Sequence, residues 1–227
     1  MVPMIDGILG IIPARGGSKA IPGKNIFKIK NKPLIAWTIE AALQAKYICD
    51  TVVSSDDDTI LEISESFGAQ VLKRPKELAM DDSSSEMVVE YVLNTLIKKY
   101  KYCMLLQPTS PLRDSRLIDK AVELFFESDA TALISVCEID NKILKAFKEN
   151  ENGYIEGVAN NIFPFMPRQN LPKTFISNGA IYLIKTDEFL KNRSFLATKT
   201  IKFIMNERES LDIDDYADIE KFKSYLE

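Results

Sequence analysis

The stretch Ile8–Asn25, ILGIIPARGGSKAIPGKN, joins an apolar run to a loop rich in glycine and cations. The run Ile8–Ile12 reads as a short buried strand that ends abruptly at Pro13. Arg15, Gly16, Gly17, Ser18, Lys19, Gly23 and Lys24 follow with no acidic residue among them. Glycines let backbone N–H groups come close to a ligand, and the cations complete a cradle for a polyanion at the carboxyl end of a strand, where open α/β sheets bind ligands. A loop that only turns the chain, with solvated lysines, would read the same way. Known phosphate fingerprints do not fit: five residues separate Gly17 from Gly23-Lys24 where a Walker A loop has four, Asn25 replaces its Ser or Thr, and Gly-x-Gly-x-x-Gly is absent.

Downstream of the loop, segments of two periods alternate. Pro33 opens a helix to about Ala45, with Leu34, Trp37, Ala41 and Ala42 at helical spacing. Thr51–Ser54 is strand-like, and Asp56, Asp57 and Asp58 precede a helix carrying Ile60, Ile63 and Phe67 and ended by Gly68. Those aspartates read as caps, and their place at a strand end also suits ligand binding. A strand at Gln70–Lys73 leads through Arg74 to a polar loop in which Ser83 and Glu86 form a capping-box pattern. Ser85 then belongs either to helix-start chemistry or to an anion site at the helix N-terminus. The strand Tyr102–Leu106 runs into Gln107-Pro108-Thr109-Ser110-Pro111-Leu112-Arg113, a proline-stiffened polar corner. A helix over Ser115–Glu127 and a strand over Ala132–Cys137 complete a doubly wound, mainly parallel α/β sheet.

That rhythm stops between Glu138 and Pro172. The segment contains a hairpin signal near Gly153 and the apolar run around Phe163–Gln169, so it reads as an arm that packs on a second copy. Strands at Ser177–Ile184 and Thr200–Met205, a short helix at Glu188–Leu190 and a last helix bearing Ile219, Phe222 and Leu226 close the chain. The reading divides it into residues 1–137 and 177–227, a nucleotide-binding α/β domain, and residues 138–176, the inserted arm.

The composition narrows the chemistry. Histidine is absent from all 227 residues, which removes Ser-His-Asp triads, Cys-His nucleophiles and the usual zinc sites. Three cysteines, Cys49, Cys103 and Cys137, without a C-x-x-C pair read as reduced, buried thiols. A net charge of −4 argues against a general nucleic-acid binder. No apolar run approaches the roughly 20 residues that span a bilayer, and MVPMIDGI lacks the basic region of a signal peptide, so the expected location is the cytoplasm, with no membrane partner. Asp212 and Asp214, two apart in an extended segment, present carboxylates to one face and suit a hard cation. Capping of the last helix by Asp214 or Asp215 is the equal alternative.

Four ordered blocks, the glycine loop through Lys24-Asn25, Gln107–Arg113, Ser177–Leu183 and Leu211–Asp214, resemble the CMP-sialic acid synthetases, or acylneuraminate cytidylyltransferases, over essentially the whole chain. The resemblance implies a Rossmann-like sheet of the nucleotide-diphospho-sugar transferase type, a homodimer, and magnesium as cofactor with manganese as a substitute. It implies that Arg15, Gly16, Gly17, Ser18, Lys19, Lys24 and Asn25 hold the CTP phosphates, with Lys19, Lys24 and Asp212 catalytic. Arg74 and Ser85 would contact the nucleotide. Gln107, Lys145, Arg168 and Tyr182 would form the sugar site, and Asp212 and Asp214 would bind the metal. The implied reaction joins CTP to a nine-carbon ulosonic acid, with a metal-bound water held by the two aspartates as the expected proton acceptor. Ala20 departs from the family's usual glycine but removes no donor. Related acids, legionaminic, pseudaminic or 3-deoxy-octulosonic, are the alternative substrates. A P-loop kinase or NTPase and a non-catalytic nucleotide-binding module are the rivals from other classes.

Overall fold

The computed structural model describes residues 4–226; the part of the signal-peptide reading that rests on Met1–Pro3 lies outside them. In chain order the elements are β1 (Met4–Pro13), β2 (Lys28–Ile29), β3 (Lys32–Pro33), α1 (Leu34–Gln44), β4 (Ile48–Ser55), α2 (Asp58–Ser66) and β5 (Gln70–Lys73). Then come α3 (Ser85–Thr95), β6 (Lys99–Leu105), α4 (Ser115–Phe126), β7 (Ala132–Ile139), β8 (Phe147–Glu149) and β9 (Ile155–Gly157). The chain ends with β10 (Thr174–Lys185), α5 (Thr186–Asn192), β11 (Thr200–Ile204) and α6 (Tyr216–Tyr225).

Seven strands form one sheet in the order β11-β7-β10-β6-β1-β4-β5. Its strands run parallel except β10, which is antiparallel to both β6 and β7. The apolar runs are continuous because both faces are covered. Ile8 and Ile12 of β1 meet Ile35 and Ile39 of α1, Ile60 of α2 and Ile118 of α4 on one face. Leu9 and Ile11 face the other way, into a cluster with Val88, Val89 and Val92 of α3 and Phe189 of α5. This is the doubly wound arrangement that the alternation predicts.

From β1 the chain builds outward through β4 to β5 and then returns to the opposite side of β1 as β6. The strand order therefore reverses between β1 and β6, the position where such sheets open a crevice. The loop after β1 and the corner after β6 flank it. A third apolar cluster fastens the rest: Ile21, Ile29 and Leu34 pack with Leu211, Ile213, Ile219 and Phe222. It draws the segment around Asp212 over the glycine loop.

Three local expectations are corrected. Of the cysteines read as buried, Cys103 on the central strand β6 is, Cys137 is half-buried and Cys49 near the start of β4 is exposed. Ser84, not Ser83, caps α3, accepting from the Met87 N–H at 3.3 Å; the Ser83 hydroxyl instead donates to the Glu77 carbonyl at 3.0 Å. Pro33 stands just before α1, in the two-residue strand β3. Between β7 and β10 the chain forms single helical turns and the small hairpin β8–β9. This segment leaves Tyr154, Ile155, Ile162 and Phe165 about 70 to 80% exposed.

Candidate active site

The crevice holds a cleft of about 410 Å³, with Arg15, Ser18, Lys24 and Asn25 on one side, Ser84 and Ser85 at the start of α3, and Gln107 and Asp212 at its far end. A second pocket of about 450 Å³ adjoins it, bounded by Ser177, Gly179, Tyr182, Glu207 and Lys221. Gln107 and Asp212 line both, so they form the seam between the two spaces.

The glycine loop is held from outside. The Asn25 side chain donates Nδ2 to the Arg15 carbonyl at 2.9 Å, and its buried Oδ1 has no hydrogen-bond partner. The Gly16 N–H donates to Asp56 Oδ1 at 3.1 Å, so this amide is not free to cradle a phosphate. Arg15 donates to Asp81 Oδ1 at 3.0 Å and to the Met80 carbonyl at 3.2 Å, and Lys19 reaches Asp81 Oδ2 at 2.6 Å. Lys19 and Arg15 hold the Asp81 carboxyl below the usual range of an aspartate. Lys19 is largely exposed and does not line the cleft, whereas Lys24 is mostly covered and does.

Arg74 is buried below the cleft, donating Nη1 to the Ser54 carbonyl at 2.6 Å. Burial pulls its guanidinium below the ordinary range, against the attraction of Asp56 and with the help of the like charge on Arg15. Ser85 occupies the first turn of α3 and lines the cleft, so helix start and ligand wall coincide.

Lys24 Nζ donates to the Ile213 carbonyl at 2.8 Å and to Asp214 Oδ1 at 3.1 Å. Burial pushes the Asp212 carboxyl above its usual range; the Thr109 hydroxyl and Lys24 oppose this, while Asp214 and Asp218 reinforce it. Asp212 Oδ1 is buried without a hydrogen-bond partner. An unpartnered carboxylate oxygen beside a second carboxylate fits a divalent cation. No cluster of three or more acidic, histidine or cysteine ligands occurs among the described residues. Two carboxylates therefore suit magnesium, which completes its shell with water and phosphate oxygens. Capping of α6 falls to Asp215, whose carboxylate accepts from the N–H groups of Ala217 and Asp218, leaving Asp212 and Asp214 for other work.

Of the residues expected at the sugar site, Gln107 and Tyr182 line the second pocket, and the Tyr182 hydroxyl lies 2.5 Å from Ser177 Oγ. Lys145 and Arg168 are not brought there. Arg168 sits in the segment between β7 and β10, in a separate depression with Glu138 and Lys173, 3.4 Å from Asp140. Lys145 lines neither the cleft nor the second pocket. Sequence reasoning gave Asp56 a cap or ligand role and Thr109 a place in the polar corner without seeing that Asp56 holds the Gly16 N–H, and it missed Asp81. The position of Asp56 directly after a strand was the available signal; Asp81 gave none.

A cytidylyltransferase family model matches residues 9–214. The N-acylneuraminate cytidylyltransferase of Escherichia coli O18:K1:H7 is 34% identical over 222 residues, covering 94% of this chain and 50% of that protein. The chain thus spans half the length of that relative. The pseudaminic acid cytidylyltransferase of Campylobacter jejuni is 32% identical, with 93% of each chain covered. The CMP-N,N'-diacetyllegionaminic acid synthase of Legionella pneumophila is 34% identical over 94% of this chain and 95% of its own. Among solved structures, a CMP:2-keto-3-deoxy-manno-octonic acid synthetase complexed with CTP superposes with a TM-score of 0.73 at 19% identity, covering 97% of this chain and 98% of that one. That likeness is one of fold. Among the described residues no helix is long and apolar enough to cross a membrane.

Proposed function

From the premise that the chain belongs to the cytidylyltransferase family, we propose that it transfers CMP from CTP to the anomeric hydroxyl of a nine-carbon ulosonic acid, with N-acetylneuraminate as the substrate. The hydroxyl oxygen bonds to the α-phosphorus and gives up its proton to water at the seam, the bond from that phosphorus to the β-phosphate bridge oxygen breaks, and pyrophosphate leaves with that electron pair. The observation that carries this reading is the shared wall: two pockets, one bearing Arg15 and Lys24 and one bearing the Ser177 and Tyr182 hydroxyls beside Glu207 and Lys221, meet at Gln107 and Asp212. An in-line displacement needs its two reactants aligned across such a seam.

Each group has a task in this scheme. Arg15, Ser18 and Lys24 bind the triphosphate, Arg74 and Ser85 the nucleoside end, and Asn25 keeps the loop in shape through the Arg15 carbonyl. Lys24 neutralises charge on the departing pyrophosphate, and Lys19 joins it by exchanging Asp81 for phosphate. Asp212 and Asp214 would hold magnesium, or manganese in its place, which would supply further charge neutralisation at the triphosphate. Gln107, with Tyr182 across the second pocket, orients the acid. The exposed apolar residues between β7 and β10 support a homodimer, in which this segment of one copy lies against the second pocket of the other and delivers Lys145 and Arg168.

The similar identities to neuraminate and legionaminate enzymes make the acid the point to test. Pyrophosphate release is measured with CTP and magnesium against N-acetylneuraminic, legionaminic, pseudaminic and 3-deoxy-octulosonic acids in parallel. Turnover with the neuraminate is expected. Turnover confined to another acid would overturn the substrate and keep the reaction; CTP binding without release from any of the four would overturn the reaction.

A further inference from the structure

We infer that Asn178 is a positioning residue that fixes Asp212 relative to Gln107 at the seam between the two pockets. The kinetic part of this inference rests on the cytidylyl-transfer reading above; its structural part does not.

Asn178 is only 8% exposed and lies where the register of β10 against β7 slips, between Ser177 and Tyr182. Such a bulge takes backbone amides out of the ladder, and buried amides need partners. Two side chains supply them. Asn178 Oδ1 accepts from the Ala180 N–H at 3.2 Å, and Ser135 Oγ of β7 accepts from the Ile181 N–H at 2.7 Å while donating to Asn178 Oδ1 at 2.6 Å. The fully buried Arg113 adds a clamp from the corner after β6, donating Nη1 to the Ala180 carbonyl at 3.0 Å and Nη2 to Thr38 Oγ1 at 2.7 Å. Inside the bulge Gly179 has φ +74°, and a Cβ there would lie 2.3 Å from Gln107 Oε1. The bulge is thus the surface against which Gln107 rests.

The other end of Asn178 points away from the sheet. Its Nδ2 donates to Ser210 Oγ at 2.9 Å and lies 3.3 Å from Met205 Sδ. Ser210 stands two residues before Asp212, so one side-chain amide ties the wall behind Gln107 to the segment that carries Asp212. The far side of the segment is fastened separately, by the Ile213 N–H donating to the Thr109 carbonyl at 2.8 Å and by Lys24 on the Ile213 carbonyl; without the Asn178 tie Asp212 can shift about that anchor while the phosphate cradle of Arg15, Lys24 and Asn25 stays intact. Misplacement of reacting groups by about an ångström costs on the order of a hundredfold in rate, with little effect on binding of the first substrate.

The test uses the full chain and begins with Ser210→Ala, which removes the acceptor without opening the bulge. The expected result is a kcat lower by about tenfold to a hundredfold, a Kd for CTP within about twofold of wild type, and recovery with Ser210→Thr, which restores the hydroxyl. Asn178→Ala combined with Ser210→Ala is expected to be no slower than the slower single variant, as for two halves of one interaction. Hydrogen exchange at Leu211–Asp214 is expected to quicken about fivefold in Ser210→Ala, the worth of one net hydrogen bond. Wild-type exchange in Ser210→Ala overturns the inference, as do additive losses or a defect confined to KM for the acid. If wild-type protein releases no pyrophosphate with any acid, the functional reading fails and hydrogen exchange alone decides the role of Asn178.

Discussion

Gly16 and Gly17 are adjacent, yet they differ in what they tolerate. A Cβ at Gly16 would lie 2.8 Å from Asp57 Oδ2 and 3.0 Å from Asp57 Cβ; at Gly17 it would meet nothing within 4 Å. Asp57 cannot retreat cheaply, because it caps α2 by accepting from the Ile60 N–H at 3.0 Å. Gly16→Ala is therefore expected to lose about 1 kcal/mol, a fall in Tm of about 2–4 °C for a chain of this size, and to weaken CTP binding. Gly17→Ala should leave Tm unchanged but, because Gly17 lines the cleft, weaken CTP binding, so that only Gly16→Ala moves both; calorimetry and CTP titration check the pair. This difference is not legible in the sequence, where the two glycines are equivalent and the deciding partner is some forty residues away. A separation of 66 residues likewise hides Asp81 as the partner of Arg15, and Lys19 shares that partner. By contrast, Lys24, Asp212 and Asp214 stood out in the sequence through the blocks shared with the family, where spacing alone left capping an equal reading for the aspartates, and the three line one cleft. That Lys24 grips Asp214 was not legible, since the contact depends on the apolar cluster joining Ile21 to Ile213.

At the scale of elements, the far end of the sheet is held by Asp50 of β4, which accepts from Lys98, from Tyr100 at 2.7 Å and from Gln70 of β5 at 2.8 Å. Burial disfavours its charge, but Lys98, Tyr100 and Gln70 together keep the carboxyl below its ordinary range. A carboxylate with a lowered pKa in the folded state stabilises above its unfolded pKa and loses that contribution as pH falls through the folded value. Asp50→Asn should cost about 1–2 kcal/mol at neutral pH. The gap from wild type should narrow below about pH 4 and close in stronger acid; thermal unfolding between pH 3 and 8 measures it. Strands and helices themselves were readable because the sheet is buried on both sides and its helices carry single apolar stripes. The cap of α3 was misread for a definite reason: of three consecutive serines only Ser83 has a glutamate three residues on, yet Ser83 is withdrawn by the Glu77 carbonyl and Ser84 takes the cap. The reversal of β10 left no trace in its apolar run, which looks alike in either direction.

Across the whole molecule, the segment between β7 and β10 gathers Tyr154, Ile155, Ile162 and Phe165 as exposed apolar residues in one stretch of chain. Ile162→Asp with Phe165→Glu is expected to turn a dimer into a monomer by analytical ultracentrifugation. CTP binding should persist, and turnover of the acid should fall by about two orders of magnitude, the scale of losing charge-assisted contacts to the substrate carboxylate. An unchanged mass, or a monomer with full turnover, would remove the dimer from the functional reading. The loss of periodicity after Cys137 marked this segment in the sequence. The positions of Lys145 and Arg168 were not readable, because periodic patterns say nothing about which surface an irregular segment meets. Its two ends, however, stand side by side: Ile139 pairs with Thr174 across neighbouring antiparallel strands. The excursion is therefore a cassette with a closed base, and the sheet would keep its register whatever the insert contained. In the proposed dimer this cassette is the portion of the acid site that lineages can rewrite while inheriting the nucleotide half untouched, with Gln107 and Tyr182 staying on the sheet side.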